Sequence, residues 1–261
     1  MLALAIVAPA PAAATPVSGP RETVDSQLST KRPNAAAGFH YTGRYHAAGD
    51  PNGDPPYMRK MVSYNSKGVR YDTSVPARCS ATDLELALRG MDACPPGSRI
   101  GGGTAKGKFM GFPPTTLDVD VVNNTGEQII ILRSPVFATV ARGRIHPDGS
   151  VEFASPTCFP ALQPPGCPVD NALQLGSDIT VPPLTRSSNG IRRSYLTTPP
   201  YCPASGYWRT PIRFWWADGA VDTVVTRQRC KRRSTRKMKR RARQRKLRKA
   251  SRRRASGERA G

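Results

Sequence analysis

The sequence predicts a mainly β fold: an antiparallel, β-sandwich-like domain with one short helix, stapled by disulfides and continued by a disordered polybasic tail. Three observations predict it. The 261 residues include 26 Pro and 23 Gly, a composition that favours many short elements joined by turns over a bundle of long helices. Six cysteines, Cys79, Cys94, Cys158, Cys167, Cys202 and Cys230, form an even set with no C-x-x-C pair. Such a set suits disulfides better than a zinc ribbon or a thioredoxin-like site. The net charge of +22 is gathered at one end: residues 231–261 hold 17 basic side chains against the single acid Glu258, a balance of +16, and the remaining residues carry 23 basic and 17 acidic, or +6.

From the N-terminus, Leu2 to Ala8 is a short apolar run followed by small residues up to Ala14, with several A-x-A sequences. Residues 1–18 therefore read as a signal peptide or leader, although no basic residue precedes Arg21. Together with the cysteines this predicts export to an extracellular or cell-envelope location. Residues 19–37 are polar, Pro-punctuated and without period, so they read as a mobile linker before a disulfide-bonded β domain at 38–230.

Within that domain, Met58 to Tyr64 and Val69 to Tyr71 flank Asn65-Ser66-Lys67-Gly68 and predict a first hairpin. A short helix follows, capped by Ser80 or Thr82 and an acid three residues later, with Leu84, Ala87, Leu88 and Met91 as its buried stripe and Gly90 and Pro95 as its stop. A Cys79–Cys94 bridge around it would close a 16-residue loop and contribute about 3 kcal/mol on the chain-entropy model. Leu117 to Val121 alternates, Asn123-Asn124-Thr125-Gly126 turns, and Gln128 to Leu132 returns as an apolar run, a second hairpin. Val136 to Ile145 and Val151 to Phe153 surround Pro147-Asp148-Gly149 as a third. Cys158 to Cys167 is a Pro-rich loop, and Ser177 to Val181 adds a strand. In the last hairpin Trp208, Ile212, Phe214 and Trp216 share a core face and Arg209, Arg213 and Trp215 the opposite one, with Ala217-Asp218-Gly219 leading into Val221 to Val225. A turn centred on Asp218 puts Cys230 opposite Gly206, so a Cys202–Cys230 bridge demands that Pro203 to Gly206 bend back. Spacing groups the cysteines as three successive pairs, and all 15 connectivities stay open at this level.

The segment P-A-R-C-S-A-T-D-L-E-L-A-L-R-G-M-D-A-C-P-P-G-S-R-I-G-G-G-T-A at 76–105, with T-P-P-Y-C-P-A-S-G-Y-W-R at 198–209, A-D-G at 217–219 and the closing Cys230, resembles uncharacterised secreted proteins of high-GC actinobacteria. The resemblance covers roughly residues 57–230, closely at the two cysteine-bearing segments and loosely between them. It implies export, disulfides and a β-rich domain, and brings no activity with it. Cys158 and Cys167 belong less clearly to the pattern.

Motifs of catalysis and metal binding are weak throughout. Gly102 to Lys108 satisfies G-x-x-x-x-G-K, but Phe109 stands where a phosphate loop needs Ser or Thr, and β-rich sequence follows where a helix should open. A flexible Gly-rich crossing beside a disulfide is the plainer reading. His40 and His46 lack a third ligand, and Asp50 with Asp54 lacks the spacing and closing Glu of a calcium loop. Asp118 and Asp120 share a strand face, which reads as exposed solvation. No G-x-S-x-G, H-E-x-x-H or free Cys beside a His occurs. Neither a catalytic residue nor a cofactor is implied.

The tail carries the strongest signal. Lys231, Arg232, Arg233, Arg236, Lys237, Lys239, Arg240, Arg241, Arg243, Arg245, Lys246, Arg248, Lys249, Arg252, Arg253 and Arg254 repel one another and await a polyanion. The absence of aromatics there argues against base stacking, and the absence of an apolar face argues against an inserted helix. Lipid headgroups, wall polymers and nucleic acid are the partners that fit, and no run of 18 apolar residues spans a membrane. The expectation is a non-enzymatic exported or envelope protein that docks on anionic surfaces. Two alternatives are a nucleic-acid-binding protein, which predicts reduced cysteines, and an extracellular hydrolase, which predicts that scattered acids converge in a cleft.

Overall fold

The computed structural model describes residues 16–109, 113–135, 137–155 and 172–231. Residues 1–15 of the expected 1–18 leader, the Cys158 to Cys167 segment expected as a loop, and the polybasic residues from Arg232 onward lie outside them. The strands are β1 (Val17–Ser18), β2 (Glu22–Leu28), β3 (Ala36–Ala37), β4 (Phe39–Tyr45), β5 (Met58–Ser63) and β6 (Arg70–Tyr71). After the helix α1 (Asp83–Arg89) come β7 (Arg99–Phe109), β8 (Thr115–Asn124), β9 (Glu127–Ser134), β10 (Phe137–Ile145), β11 (Val151–Ala154) and β12 (Ala172–Val181). The chain ends with β13 (Thr185–Ser188), β14 (Ile191–Ser194), β15 (Leu196–Thr197), β16 (Tyr207–Trp216) and β17 (Val221–Arg229). The fold is mainly β with one short helix, antiparallel throughout and sandwich-like.

One sheet runs β1-β2-β4-β12-β7-β8-β9-β10-β11-β5-β16-β17, and a small sheet, β3-β15-β6, lies over part of it. Between the two sits a core of Ile100, Ala105, Leu117, Val119, Val121, Ile179 and Val181 from the large sheet with Ala37 and Leu196 from the small one. A second core joins Val24 and Tyr45, near the start of the large sheet, to Ile212, Phe214, Trp216 and Val224 at its end. Since opposite ends of one sheet share a core, the sheet must curl until β17 lies beside β2, which removes exposed strand edge. The Gln228 side chain closes this seam by accepting from the Leu28 N–H at 2.8 Å and donating to the Leu28 carbonyl at 2.6 Å. The Lys231 N–H adds a bond to the Lys31 carbonyl at 2.7 Å.

Residues 19–37 are thus not the linker expected. Strand β2 pairs with β4 from Glu22↔Tyr45 to Leu28↔Phe39, and Val24 is fully buried. Apart from Leu28 its other side chains are polar, and of these only Glu22 is fully buried, so an apolar count could not distinguish the strand from linker. Pairing of β1 with β2 and of β2 with β4 places folded strands from Val17 onward, before the expected boundary at 38. The first expected hairpin is also corrected. Strand β5 pairs with β11 and β16, whereas β6 pairs with β15. Val69 turns back onto Ser66 as the turn residues predict, but it then enters the core under the small sheet, carrying the chain away from β5.

The second and third hairpins form as expected, with Asn124↔Glu127 and Ile145↔Val151 at their ends. Gly126 takes the positive φ of 67° that the tight turn requires. The apolar run in β9 is explained by burial on both faces. Ile130 and Leu132 face the sandwich core, and Ile129 and Ile131 face a third core beneath α1.

Helix α1 begins at the expected cap: Thr82 accepts from the Glu85 N–H at 3.3 Å and the Glu85 carboxylate accepts from the Thr82 N–H at 2.8 Å, a capping box. Its buried stripe is rotated from the expectation. Leu86 and Ala87 are buried, whereas Leu84 and Leu88 are 42% and 60% exposed. The cause is Arg142, which reaches from β10 to Asp83 at 2.6 Å and the Ala81 carbonyl at 2.9 Å. These bonds turn the Asp83, Leu86, Ala87, Gly90 side of the helix toward the sheet, and Cys79–Cys94, with a Cα–Cα distance of 5.0 Å, holds entry to exit.

Candidate polyanion-binding face

The last hairpin carries the residues of interest on its outer face. Strands β16 and β17 pair from Tyr207↔Arg229 to Trp215↔Val221, and strict alternation sends Trp208, Ile212, Phe214 and Trp216 inward, as expected. Facing outward are Tyr207, Arg209, Arg213 and Trp215 on β16, with Thr223, Arg227 and Arg229 on β17. Arg209 stands directly opposite Arg227. From β5, which borders β16, Lys60 sets its Nζ 4.3 Å from the centre of the Trp215 ring. The Arg213 guanidinium lies 5.7 Å from the Trp215 ring and 5.9 Å from that of Tyr64.

Arg209, Arg227 and Arg229 form no ion pair among the described residues, and Arg213 meets a hydroxyl, Thr223 Oγ1 at 3.3 Å. The hairpin's acids are engaged elsewhere. Asp222 points into the core, where it accepts from the Trp216 indole N–H at 2.9 Å and from Arg21 at 3.0 Å. Asp218, at the turn, pairs with the same Arg21 at 3.1 Å. The face is therefore cationic, and it runs along β17 to Lys231, the first residue of the polybasic segment.

At the base of this hairpin the Cys230 N–H bonds the Gly206 carbonyl at 2.9 Å, the register expected for a turn near Asp218. Pro203 to Gly206 bends back through a Gly206 N–H bond to the Pro203 carbonyl at 3.0 Å, with Gly206 at φ 79°. That bend lets Cys202 meet Cys230, with their Cα atoms 5.6 Å apart. Cys158 and Cys167 fall outside the described residues.

The other sequence motifs are dispersed. The Gly-rich stretch 102–108 is not a flexible crossing: it lies within β7, between β12 and β8, where a Cβ on Gly103 would run into the Asp178 carbonyl. His40 meets Asp178 at 2.9 Å, and the His46 Nδ1 lies 2.7 Å from the Ala47 carbonyl. Asp54 pairs with Lys108, and Asp50 accepts from the Asn52 N–H. Among the described residues no group of three or more His, Cys, Asp or Glu is placed to hold a metal. Asp118 is exposed as expected, but Asp120 is buried and holds both Arg99 at 2.6 Å and Arg133 at 2.7 Å. Its strand loses solvent on that face because α1 covers the neighbouring Val122.

Acids do converge at the β2–β17 seam, where Glu22, Asp218 and Asp222 surround Arg21. Glu22 is fully buried, and burial, reinforced by Asp222, pushes its carboxyl up to about 7. Its Oε1 has no hydrogen-bond partner among the described residues. Glu22 and Asp222 are buried, whereas Asp218 at the turn is 43% exposed.

The outward arginines of β16 were legible as one face of an alternating strand. Those of β17 lie beyond the expected Val221 to Val225 run, although the alternation continues through Thr226, Arg227, Gln228 and Arg229. No protein-family model, curated protein or solved structure matches the chain.

Proposed function

We propose that the protein is an exported, non-enzymatic component of the cell envelope, a disulfide-held β domain whose polycationic C-terminal segment docks on anionic surface polymers. The observation that carries this reading is the separation of charge: +16 of the +22 lies in residues 231–261, directly after a strand whose outward Arg227 and Arg229 form no ion pair among the described residues. Two disulfides in the folded body support an oxidising compartment. Among the described residues no helix is long and apolar enough to cross a membrane, and attachment by charge needs none. Binding of this kind is driven by counterion release and weakens steeply with salt.

The test replaces the 16 Lys and Arg of 231–254 by Gln in the full chain and titrates binding to wall material, anionic vesicles and DNA over a range of salt. Loss of binding and of its salt dependence is expected, whereas binding equal to that of the unaltered protein refutes docking by this segment. Intact mass of the protein from its native host tests export separately. A processed N-terminus and oxidised cysteines are expected, and a full-length chain with free thiols would favour the nucleic-acid-binding alternative.

A further inference from the structure

We propose that the outer face of β5, β16 and β17 is a second, structured docking surface for a base-free linear phosphate polymer of the envelope, such as a polyol-phosphate chain. It rests on the docking reading above and adds a folded site to the polybasic segment.

The first argument is electrostatic. Arg209 and Arg227 are cross-strand partners, which places their Cβ atoms about 5 Å apart. Like charges directly opposite one another destabilise a sheet, and no carboxylate among the described residues offsets this pair. An anion seated between the guanidiniums removes the repulsion and gains charge-assisted, bidentate hydrogen bonds. Arg229 follows Arg227 on the same face, two residues or about 6.8 Å along the strand, and Lys231 continues toward the basic segment. Successive charges of a flexible chain can therefore meet successive cations along one line.

The second argument decides which polyanion fits. Single-stranded nucleic acid is held by stacking its bases on successive open aromatic faces. Here Lys60 and Arg213 occupy the vicinity of the Trp215 ring, and Arg213 also approaches Tyr64. Those rings are flanked by the protein's own cations, of which Lys60 also pairs with Glu152 at 3.9 Å, leaving Tyr207 as an exposed ring without such a cation. The face thus offers charged groups for a backbone and too few platforms for bases. It also lacks an aliphatic wedge for a bilayer: besides the rings of Tyr64 and Tyr207, its exposed large hydrophobic side chain is Val221, at the far end from Lys231.

The test compares the full chain with its Arg209→Gln/Arg227→Gln variant, using inorganic polyphosphate as the probe, with oligothymidylate of equal phosphate number and anionic phosphatidylglycerol vesicles as competitors. At about fivefold per basic residue, the double variant should bind polyphosphate about 25-fold more weakly. The slope of log affinity on log salt should shrink by about 1.4, at roughly 0.7 for each phosphate no longer neutralised. Without polymer the variant should melt no lower than the parent, so weaker binding cannot reflect unfolding. Unchanged polyphosphate affinity in the variant overturns the proposal, even if neutralising residues 231–254 abolishes binding and so upholds the reading by the segment alone. Conversely, loss on Arg209→Gln/Arg227→Gln with no effect of neutralising the segment supports this face and removes the other reading. Oligothymidylate binding tenfold tighter than polyphosphate, or vesicle binding without polyphosphate binding, also overturns it.

Discussion

The side-chain amide of Gln228 bonds both backbone groups of Leu28, 200 positions earlier in the chain, accepting from its N–H at 2.8 Å and donating to its carbonyl at 2.6 Å. A side chain thereby supplies the pairing that a neighbouring strand would otherwise provide, at the point where the large sheet meets itself. Gln228→Leu leaves two backbone groups unsatisfied at a half-buried position and should cost about 2 kcal/mol. In urea the midpoint should fall with an unchanged slope, and the Leu28 amide should lose protection from hydrogen exchange. Unaltered Leu28 protection would mean that the seam is held by other contacts.

Glu22 makes the same seam sensitive to pH. Its carboxyl is raised from 4.5 to about 7, first by burial and then by Asp222, while the Arg21 N–H, the Arg21 charge and His46 act in the opposite direction. The folded state therefore holds a proton that the unfolded chain has released. The sign follows: this contribution to stability is complete below about pH 4.5 and is lost as pH rises through about 7. The loss is on the order of 3 kcal/mol. Glu22→Gln keeps an acceptor for the Arg21 N–H and should flatten that part of the stability profile between pH 5 and 8, measured by urea denaturation. A profile as steep as that of the unaltered protein would assign the dependence to other groups.

The rotation of α1 exchanges two leucines: spacing puts Leu88 in the buried stripe and leaves Leu86 out of it, whereas Leu86 is buried and Leu88 exposed. Leu86→Ala, at a fully buried site, should cost about 2–4 kcal/mol. Leu88→Ala, on the exposed side, should stay within about 0.5 kcal/mol. Equal costs would contradict the orientation set by Arg142 and Asp83.

Each of the two disulfides among the described residues closes a short loop, with separations of 15 and 28 residues. On the chain-entropy model Cys79→Ser/Cys94→Ser should lose about 3 kcal/mol and Cys202→Ser/Cys230→Ser about 3.5 kcal/mol. Thermal melts of the two variants, with and without reductant, give the comparison. No difference between parent and variants under oxidising conditions would show that neither bridge constrains the unfolded chain.

Much of this architecture is readable because local rules act locally. The Asn124 to Glu127 turn, the Thr82 capping box and the aromatic face of β16 each depend on residues within a few positions of one another. What escaped reading depends on distant partners. Strand β2 has few apolar side chains, and β4, together with the core shared by Tyr45 and Phe214, makes it a strand. Met58 to Ser63 is indeed a strand, but its neighbours β11 and β16 lie about 90 and 150 residues away, so the nearest turn suggested the wrong one. Asp120 became buried through Arg99 and Arg133, charges on two other strands. The cationic face is half legible: the alternation of Arg209 and Arg213 is local, whereas the opposition of Arg209 to Arg227 needs the register of the whole hairpin.

The Cys202–Cys230 bridge sits immediately before Lys231. If the C-terminal segment is pulled while anchored outside, the load reaches Cys230 first and passes through a covalent sulfur link to Cys202. Strand β17 is then spared from being peeled off β16 one hydrogen bond at a time from its loaded end. The tether is as strong as the chain itself for as long as that cystine stays oxidised, and reduction would turn the same hairpin into the first part of the domain to tear.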